Sequence, residues 1–253
     1  MTDPRAVLGS IPGFGGAEPV SRRSDGPTNE SWLVEQGGEQ FVLRLDKPET
    51  ALLGLDRDSE KAVCEALAAA GLGHPPVHFD PDAGVYLRRY VPGRSWTMQD
   101  LQSPGKLERL AELLRRVHAL PPAGQKFKPL KAAGRYARQI GGADAGNLFL
   151  EAATAYALIE PGTPALCHND LFCGNVIEGE ELSLIDWEYA GIGDPFFDLA
   201  VVVRHHDLED ELARHFLGAY LGKKARKKDM ARLEKQCRFY GALLKLWNLR
   251  IKT

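Results

Sequence analysis

The chain has 253 residues, 44% of them hydrophobic, which is enough for one large domain or two modest ones around a proper core. Its 32 lysines and arginines nearly balance 34 aspartates and glutamates, so no whole-molecule field favours nucleic acid or acidic membranes. The opening MTDPRAVLGSIPGFGG puts an acid and a proline where a signal peptide needs a basic end, and no segment approaches ~18 uninterrupted apolar residues; the expectation is a globular, cytoplasmic protein. Cys64, Cys167, Cys173 and Cys237 lack the C-x2-C spacing of a zinc site and read as free thiols without a role.

In chain order, SWLVEQGGEQFVLRLD reads as two strands joined by Gly37-Gly38. DRDSEKAVCEALAAAGLG reads as a helix capped by Asp58 or Ser59, with Glu60 in its first turn and Gly71 as its stop. AGVYLRRYVPG restores a strand until Pro92-Gly93 breaks it. Beyond Pro92 the texture becomes helical, most clearly in GKLERLAELLRRVHALPP, where Leu107, Leu110, Leu113 and Leu114 form a stripe. The segments NLFLEAATAYALIEP, DLAVVVRHHDLEDELARHFLGAYLG and DMARLEKQCRFYGALLKLWNLR are further helices. The expected fold is therefore α+β with two lobes, residues 1–91 holding a small antiparallel sheet plus helix and 92–253 mainly helical. The run KKARKK at 223–228 can grip phosphates or RNA, but a solvated connection between helices is the simpler reading.

The stretch CHNDLFCGNVIEGEELSLIDWEYAGIGDP carries the chemistry. Val176-Ile177 and Leu182 to Ile185 are apolar arms around an acidic bend, and folding that hairpin near Glu180 lays Asn175 across from Asp186. An amide oxygen facing a carboxylate is a pair of hard ligands suited to Mg2+. Asp170, on the loop leading into the hairpin, can reach the same mouth as a candidate base. His168, two residues earlier, points back toward the interior and holds the loop. One carboxylate to orient a hydroxyl and two groups to hold metal describe phosphoryl transfer, where the protein positions and neutralises. Asp and Asn also flank hairpins simply because they turn well, but four such residues in register, His168-x-Asp170-x4-Asn175 and then Asp186, come close to a kinase catalytic pattern.

With those residues the chain resembles the aminoglycoside phosphotransferase and choline kinase superfamily, whose fold is that of the protein kinases, over nearly its whole length. The resemblance implies ATP and Mg2+, with Asp170 as catalytic base, Asn175 and Asp186 as metal ligands and His168 supporting the loop. Asp198 in DPFFDLA matches an aspartate that braces that loop, a role compatible with helix capping. The first lobe becomes the nucleotide-binding lobe and the second the catalytic and substrate-binding one. DGPTNESWLVE takes the place of the phosphate-covering loop; only Gly26 remains there, followed by Pro27, so side chains of Thr28 and Asn29 stand in for missing backbone donors or simply form the turn. Arg44 stands where a protein kinase carries lysine, and Glu60 is positioned to pair with it; a strand-surface charge is the bland alternative for Arg44. RRYVPG looks like a hinge at which backbone groups of Arg89, Tyr90 and Val91 meet adenine.

Only WEYAGIGDPFF separates Asp186 from the next helix, too little for peptide docking, so the expected partner is a small molecule with a hydroxyl. Trp187, Glu188, Tyr189, Asp194, Phe196 and Trp247 offer aromatic faces and carboxylates that suit a cation, although Phe196 and Phe197 read equally well as core. IDWEYAGIGDPFFDLA looks most like the thiamine kinases and bacterial choline kinases, with thiamine slightly ahead, choline or ethanolamine next and an amino sugar third. A pseudokinase that binds nucleotide and regulates a partner is the reading from another class, disfavoured by the intact Asp170, Asn175 and Asp186. No nucleic-acid or membrane partner is expected, and the chain is read as a monomer or homodimer.

Overall fold

A computed structural model describes residues 3–26, 28–48 and 50–252, with Ala51 described by its backbone alone. The chain forms two compact units, Met1–Pro92 and Gly93–Thr253.

The first unit is an antiparallel sheet in the order β1-β2-β3-β5-β4, built from β1 (Glu18–Asp25), β2 (Asn29–Gln36), β3 (Glu39–Asp46), β4 (His78–Asp80) and β5 (Val85–Arg89). Gly37 and Gly38 both take positive φ, 59° and 81°, the two-residue geometry whose twist matches the flanking strands. Period-two alternation then sorts β3: Phe41, Leu43 and Leu45 join Val34, Val85 and Leu87 in a core closed by Leu8, Ile11 and Phe14 from α1 (Pro4–Ser10) and the turn after it. Phe14 meets Phe41 edge-on at 5.0 Å. Arg44 alternates away from that set and meets α3 (Arg57–Ala69), while the short α2 (Thr50–Leu53) leads into it. The cap of α3 is Asp56, whose side chain accepts the Ser59 N–H at 2.8 Å, rather than Asp58 or Ser59. Asp56 has the extended backbone a cap requires, whereas Asp58 and Ser59 already lie inside the helix. Gly71 stops it in the left-handed region at φ 68°.

The second unit contains α4 (Pro104–His118), α5 (Pro129–Ile140), α6 (Gly142–Ala157), α7 (Pro195–His205), α8 (Asp210–Leu221) and α9 (Lys227–Arg250). Helix α9 packs on α5, α6 and α7, and α4 packs on α8. The leucine stripe of α4 is buried, including Leu107, Leu110 and Leu114. Short strands interrupt the helices: β6 (Arg94–Ser95) pairs with β8 (Val176–Glu178), which pairs with β9 (Leu182–Leu184), and β7 (Ala165–Cys167) pairs with β10 (Gly191–Gly193). Within 223–228, Lys223 and Lys224 are exposed, and Arg226 caps α9 through Asp229. Among the described residues no helix is long and apolar enough to cross a membrane.

Candidate active site

The hairpin of the second unit is centred on residue 180, pairing Val176 with Leu184 and Glu178 with Leu182. The same register puts Asn175 opposite Ile185, one residue short of the expected Asp186, and the Ile185 N–H donates to the Asn175 carbonyl at 3.0 Å. Asp186 follows with φ 67°, a left-handed turn that an aspartate tolerates and that ends the strand at the ribbon's mouth. Asn175 closes a 3-10 turn, Cys173–Asn175, and its Nδ2 donates to the Asp170 carbonyl at 2.8 Å, leaving Oδ1 as the amide's acceptor. An amide oxygen and a carboxylate form a hard-oxygen donor set of the type that fits Mg2+.

The loop between β7 and that turn is held from inside. Asp198, in the first turn of α7 and with no exposed surface, accepts the backbone N–H groups of His168 at 2.8 Å and Asn169 at 2.7 Å. His118 at the end of α4 faces the same carboxylate, Nε2 to Oδ2 at 3.0 Å, and its Nδ1 lies 2.9 Å from the Tyr220 hydroxyl. Burial pushes the Asp198 carboxyl up, but the His118 hydrogen bond and charge, together with His168, outweigh it and hold the group below the usual range. Cys167 Sγ lies within 4.8 Å of these His118 and Asp198 ligand atoms, yet Asp198 already has three donors. All four cysteines are free thiols, and burial raises that of Cys64 to about 12.

His168 is fully buried beneath Trp187, ring centroids 4.5 Å apart. Its Nδ1 accepts the Asp170 N–H at 3.3 Å and its Nε2 faces the Ile185 carbonyl at 2.9 Å, which assigns the neutral tautomer with the proton on Nε2. Burial lowers its pKa, consistent with that neutral form. Asn169, at φ 65°, donates to the Tyr189 carbonyl at 3.0 Å. Asp170 stands between two other acids. Burial first, then the charges of Asp186 and Asp198, push its carboxyl up to about 7, with the Asn175 amide pulling the other way. Beside it stands an aromatic cluster: Trp247 of α9 lies 5.4 Å from Tyr136 of α5 and 6.3 Å from Tyr189. Burial raises both tyrosine phenols, and the Asp170 charge adds to the rise in each.

Not every expected acceptor residue faces this cluster. Trp187 is buried against His168 with its indole N–H donating to the Leu184 carbonyl at 3.3 Å, a packing position. Asp194 is the cap of α7: it accepts the Phe196 N–H at 3.0 Å, Arg232 Nη2 at 2.8 and 2.9 Å and Gln236 Nε2 at 3.0 Å, so its carboxylate is engaged inside the fold. Phe196 lies under the Arg232 guanidinium at 4.0 Å, which makes it part of that brace. Glu188 is buried.

In the first unit, Arg44 donates to both Glu60 oxygens, at 2.6 and 2.7 Å, in a buried bidentate pair. Arg57 was not expected. It donates to the same Glu60 at 2.7 Å and to both Asp46 oxygens at 2.7 Å, closing a buried network. Burial raises the Glu60 pKa, but Arg44 and then Arg57 overcome it and leave the carboxyl lowered. In the turn from β1 to β2, Gly26 donates to the Asn29 carbonyl at 3.0 Å, and the buried Asn29 amide donates to Thr28 Oγ1 at 2.9 Å. These bonds are those of a turn; Pro27 lies outside the described residues. Tyr90 N–H is taken by the Gln40 carbonyl at 3.0 Å, Arg89 pairs with Glu39 at 2.8 Å, and Val91 is half-buried.

An antiparallel five-stranded unit followed by a mainly helical unit, with acids gathered on a loop and the ribbon after it, is a kinase-like arrangement. Residues 19–235 match the model of the phosphotransferase enzyme family, APH, and the chain belongs to that family. It is 28% identical over 212 residues to protein LicA of Haemophilus influenzae, covering 77% of this chain and 60% of that one. It is 29% identical over 197 residues to the thiamine kinase of Shigella boydii, covering 73% of this chain and 65% of that one. The chain thus spans about 60% and 65% of the length of these relatives. A choline/ethanolamine kinase family protein from Mesorhizobium loti superposes with a TM-score of 0.75 at 25% identity, over 97% of this chain and 84% of that one.

Proposed function

We propose that the chain transfers the γ-phosphoryl group of ATP to the hydroxyl of a small cationic alcohol, thiamine-like or choline-like. The observation that carries this reading is the grouping of Asp170, whose carbonyl takes the Asn175 amide at 2.8 Å, with Asp186 and next to the cluster of Tyr136, Tyr189 and Trp247; burial and the charge of Asp186 raise the Asp170 carboxyl. A general base works best with a pKa near the operating pH, and here the carboxylate would take the proton of the acceptor hydroxyl. Neutral His168 and buried Asp198 fix the loop so that this carboxylate is aimed before the acceptor arrives. Asn175 and Asp186 would hold Mg2+, which when bound supplies neutralising charge at the phosphate oxygens. Arg44, kept in register by Glu60, would contribute a guanidinium to the nucleotide phosphates, and the turn carrying Thr28 and Asn29 would cover them.

Aromatic faces attract a quaternary or thiazolium nitrogen through their negative quadrupoles, which favours a thiamine-like or choline-like cation, with an amino sugar third. The thiamine kinase and choline/ethanolamine kinase relatives both lie within that class, and thiamine is kept ahead of choline on the LIDWEYA segment. The test is ATP consumption with thiamine, choline, ethanolamine and an aminoglycoside, with Asp170→Asn as control. Turnover with a cationic alcohol that the variant abolishes supports the proposal. Binding of Mg-ATP without phosphorylation of anything on the panel would instead favour a nucleotide-binding regulator.

A further inference from the structure

Helix α7 touches the 168–175 loop at two places. Near its start Asp198 grips the N–H groups of His168 and Asn169. Eight residues on, about 12 Å along a helix, the C-cap residue His206 meets the other end of the loop. His206 is buried, and its Nε2 lies 2.9 Å from the Cys173 N–H that points at it. Its Nδ1 lies 2.7 Å from the Val202 carbonyl one turn back. A carbonyl can only accept, so the proton sits on Nδ1 and Nε2 offers a lone pair. The ring is thus in the one form that can hold an amide N–H.

The place of His206 is itself fixed. Asp207 takes φ 45° and the Leu208 N–H returns to the Val203 carbonyl at 3.0 Å, a left-handed stop of the kind glycine usually makes. Among the described residues the non-glycines with positive φ are Asn169, Asp186 and Asp207, so each lies in the loop, at the ribbon's mouth or at this anchor. Next to it, the His205 ring stacks on Phe172 at 5.7 Å and 25°, and His205 Nδ1 is 2.8 Å from the Tyr240 hydroxyl. A Cβ at Gly174 would come within 2.5 Å of the Phe172 ring, so a larger residue there would have to displace that ring.

We infer that His206 is a positioning residue: by accepting the Cys173 N–H it pins the 3-10 turn that carries Asn175, so that α7 clamps the reactive loop at both ends. Cys173 opens that turn, and its N–H has no partner within the turn. Losing the acceptor would leave this N–H unpaired in a half-buried setting and free the turn to shift. The inference rests on the proposed role of Asn175 only for its kinetic consequence; the clamp itself is a statement about one amide.

The test compares wild type, His206→Leu and His206→Gln, the glutamine offering an oxygen near the place of Nε2. Hydrogen exchange of the Cys173 amide is followed by NMR with no ligand present, and kcat and KM are then measured with the acceptor found on the panel. The Leu variant should exchange Cys173 roughly tenfold to a hundredfold faster, with kcat falling on the order of tenfold and acceptor KM within about twofold. The Gln variant should recover both to within about threefold. A Gln variant as impaired as the Leu one, or a Leu variant with unchanged exchange, overturns the clamp. If the Leu variant does not fold, wild type alone decides, because a Cys173 amide unprotected relative to its neighbours overturns it as well. Protection at Cys173 in a protein that phosphorylates nothing would uphold the clamp while sinking the functional reading.

Discussion

Asp170→Asn should make the protein more stable while removing its turnover. The wild-type carboxyl rises from a reference of 3.8 to about 7 on folding, a gap of about 3 pK units. Between those values the folded state holds a proton that the unfolded chain has released, so wild-type stability falls as pH rises through the window and the deficit is complete above about 7. At about 1.4 kcal/mol per unit the full deficit is about 4 kcal/mol, and the half-buried setting reduces it to about 2–4 kcal/mol. Asparagine has nearly the same shape and no charge, so it escapes the repulsion from Asp186 and Asp198. Urea unfolding of both proteins without divalent ions should give Asp170→Asn an advantage of about 2–4 kcal/mol at pH 8, shrinking to less than half of that at pH 5. Turnover should fall by at least about 10^2 because the proton acceptor is gone. Adding Mg2+ should narrow the stability gap, since a cation beside Asp186 relieves the same repulsion. An advantage that is absent, or equal at both pH values, refutes the electrostatic account of this carboxylate.

Arg57→Ala removes the donor shared by Glu60 and Asp46 and should lower stability by about 2–4 kcal/mol at neutral pH. Because the Glu60 pKa is lowered on folding, its contribution is present above about 4.5 and lost as pH falls, so melting curves of variant and wild type should converge in acid. Trp247→Ala should raise acceptor KM roughly tenfold while leaving the ATP KM unchanged, as loss of a desolvated cation–π face predicts; a rise in the ATP KM instead would remove Trp247 from the acceptor site. Asp194→Ala should lower the melting temperature by several degrees, about 2–3 kcal/mol of lost capping and Arg232 pairing, with acceptor KM unmoved. An acceptor KM that changes more than the melting temperature would return Asp194 to the binding surface.

What could be read from the sequence was what adjacent residues decide. Gly37-Gly38 demands a tight hairpin whatever surrounds it, and the leucine stripe of α4 declares its buried face. The grouping of Asp170, Asn175 and Asp186 was legible because one loop and the short ribbon directly after it carry all three, although the register came out one residue off: the 3-10 turn ending at Asn175 keeps it out of the ladder. Strand β1 was missed because almost every residue of EPVSRRSD is exposed, so an edge strand leaves no apolar alternation to see. His118, His206, Tyr136 and Arg57 escaped for another reason. Each looks like an ordinary helix residue, and its meaning comes from a partner brought near by packing: Asp198 is 80 positions from His118, and Cys173 is 33 from His206. Trp187 and Asp194 drew an expected acceptor contact from their proximity in sequence to Asp186, and packing gives their side chains internal partners in the Leu184 carbonyl and Arg232.

The fate of two aspartates twenty-eight positions apart shows how one side chain serves opposite ends. Asp198 has no exposed surface and Asp170 is half-buried, and burial raises both. Asp198 receives two backbone N–H groups and His118, and these donors stabilise its charged form enough to drive the pKa down. Asp170 receives no such set and faces the negative charge of both neighbours, so its charged form is disfavoured until near neutrality. The low-pKa acid is therefore a permanent anchor, and its charge helps to raise the pKa of the acid it positions. Placing the anchor on α7 couples rigidity and reactivity: a donor removed from Asp198 would loosen the loop and also change the charge that Asp170 feels, so the two effects should appear together in any variant of His118.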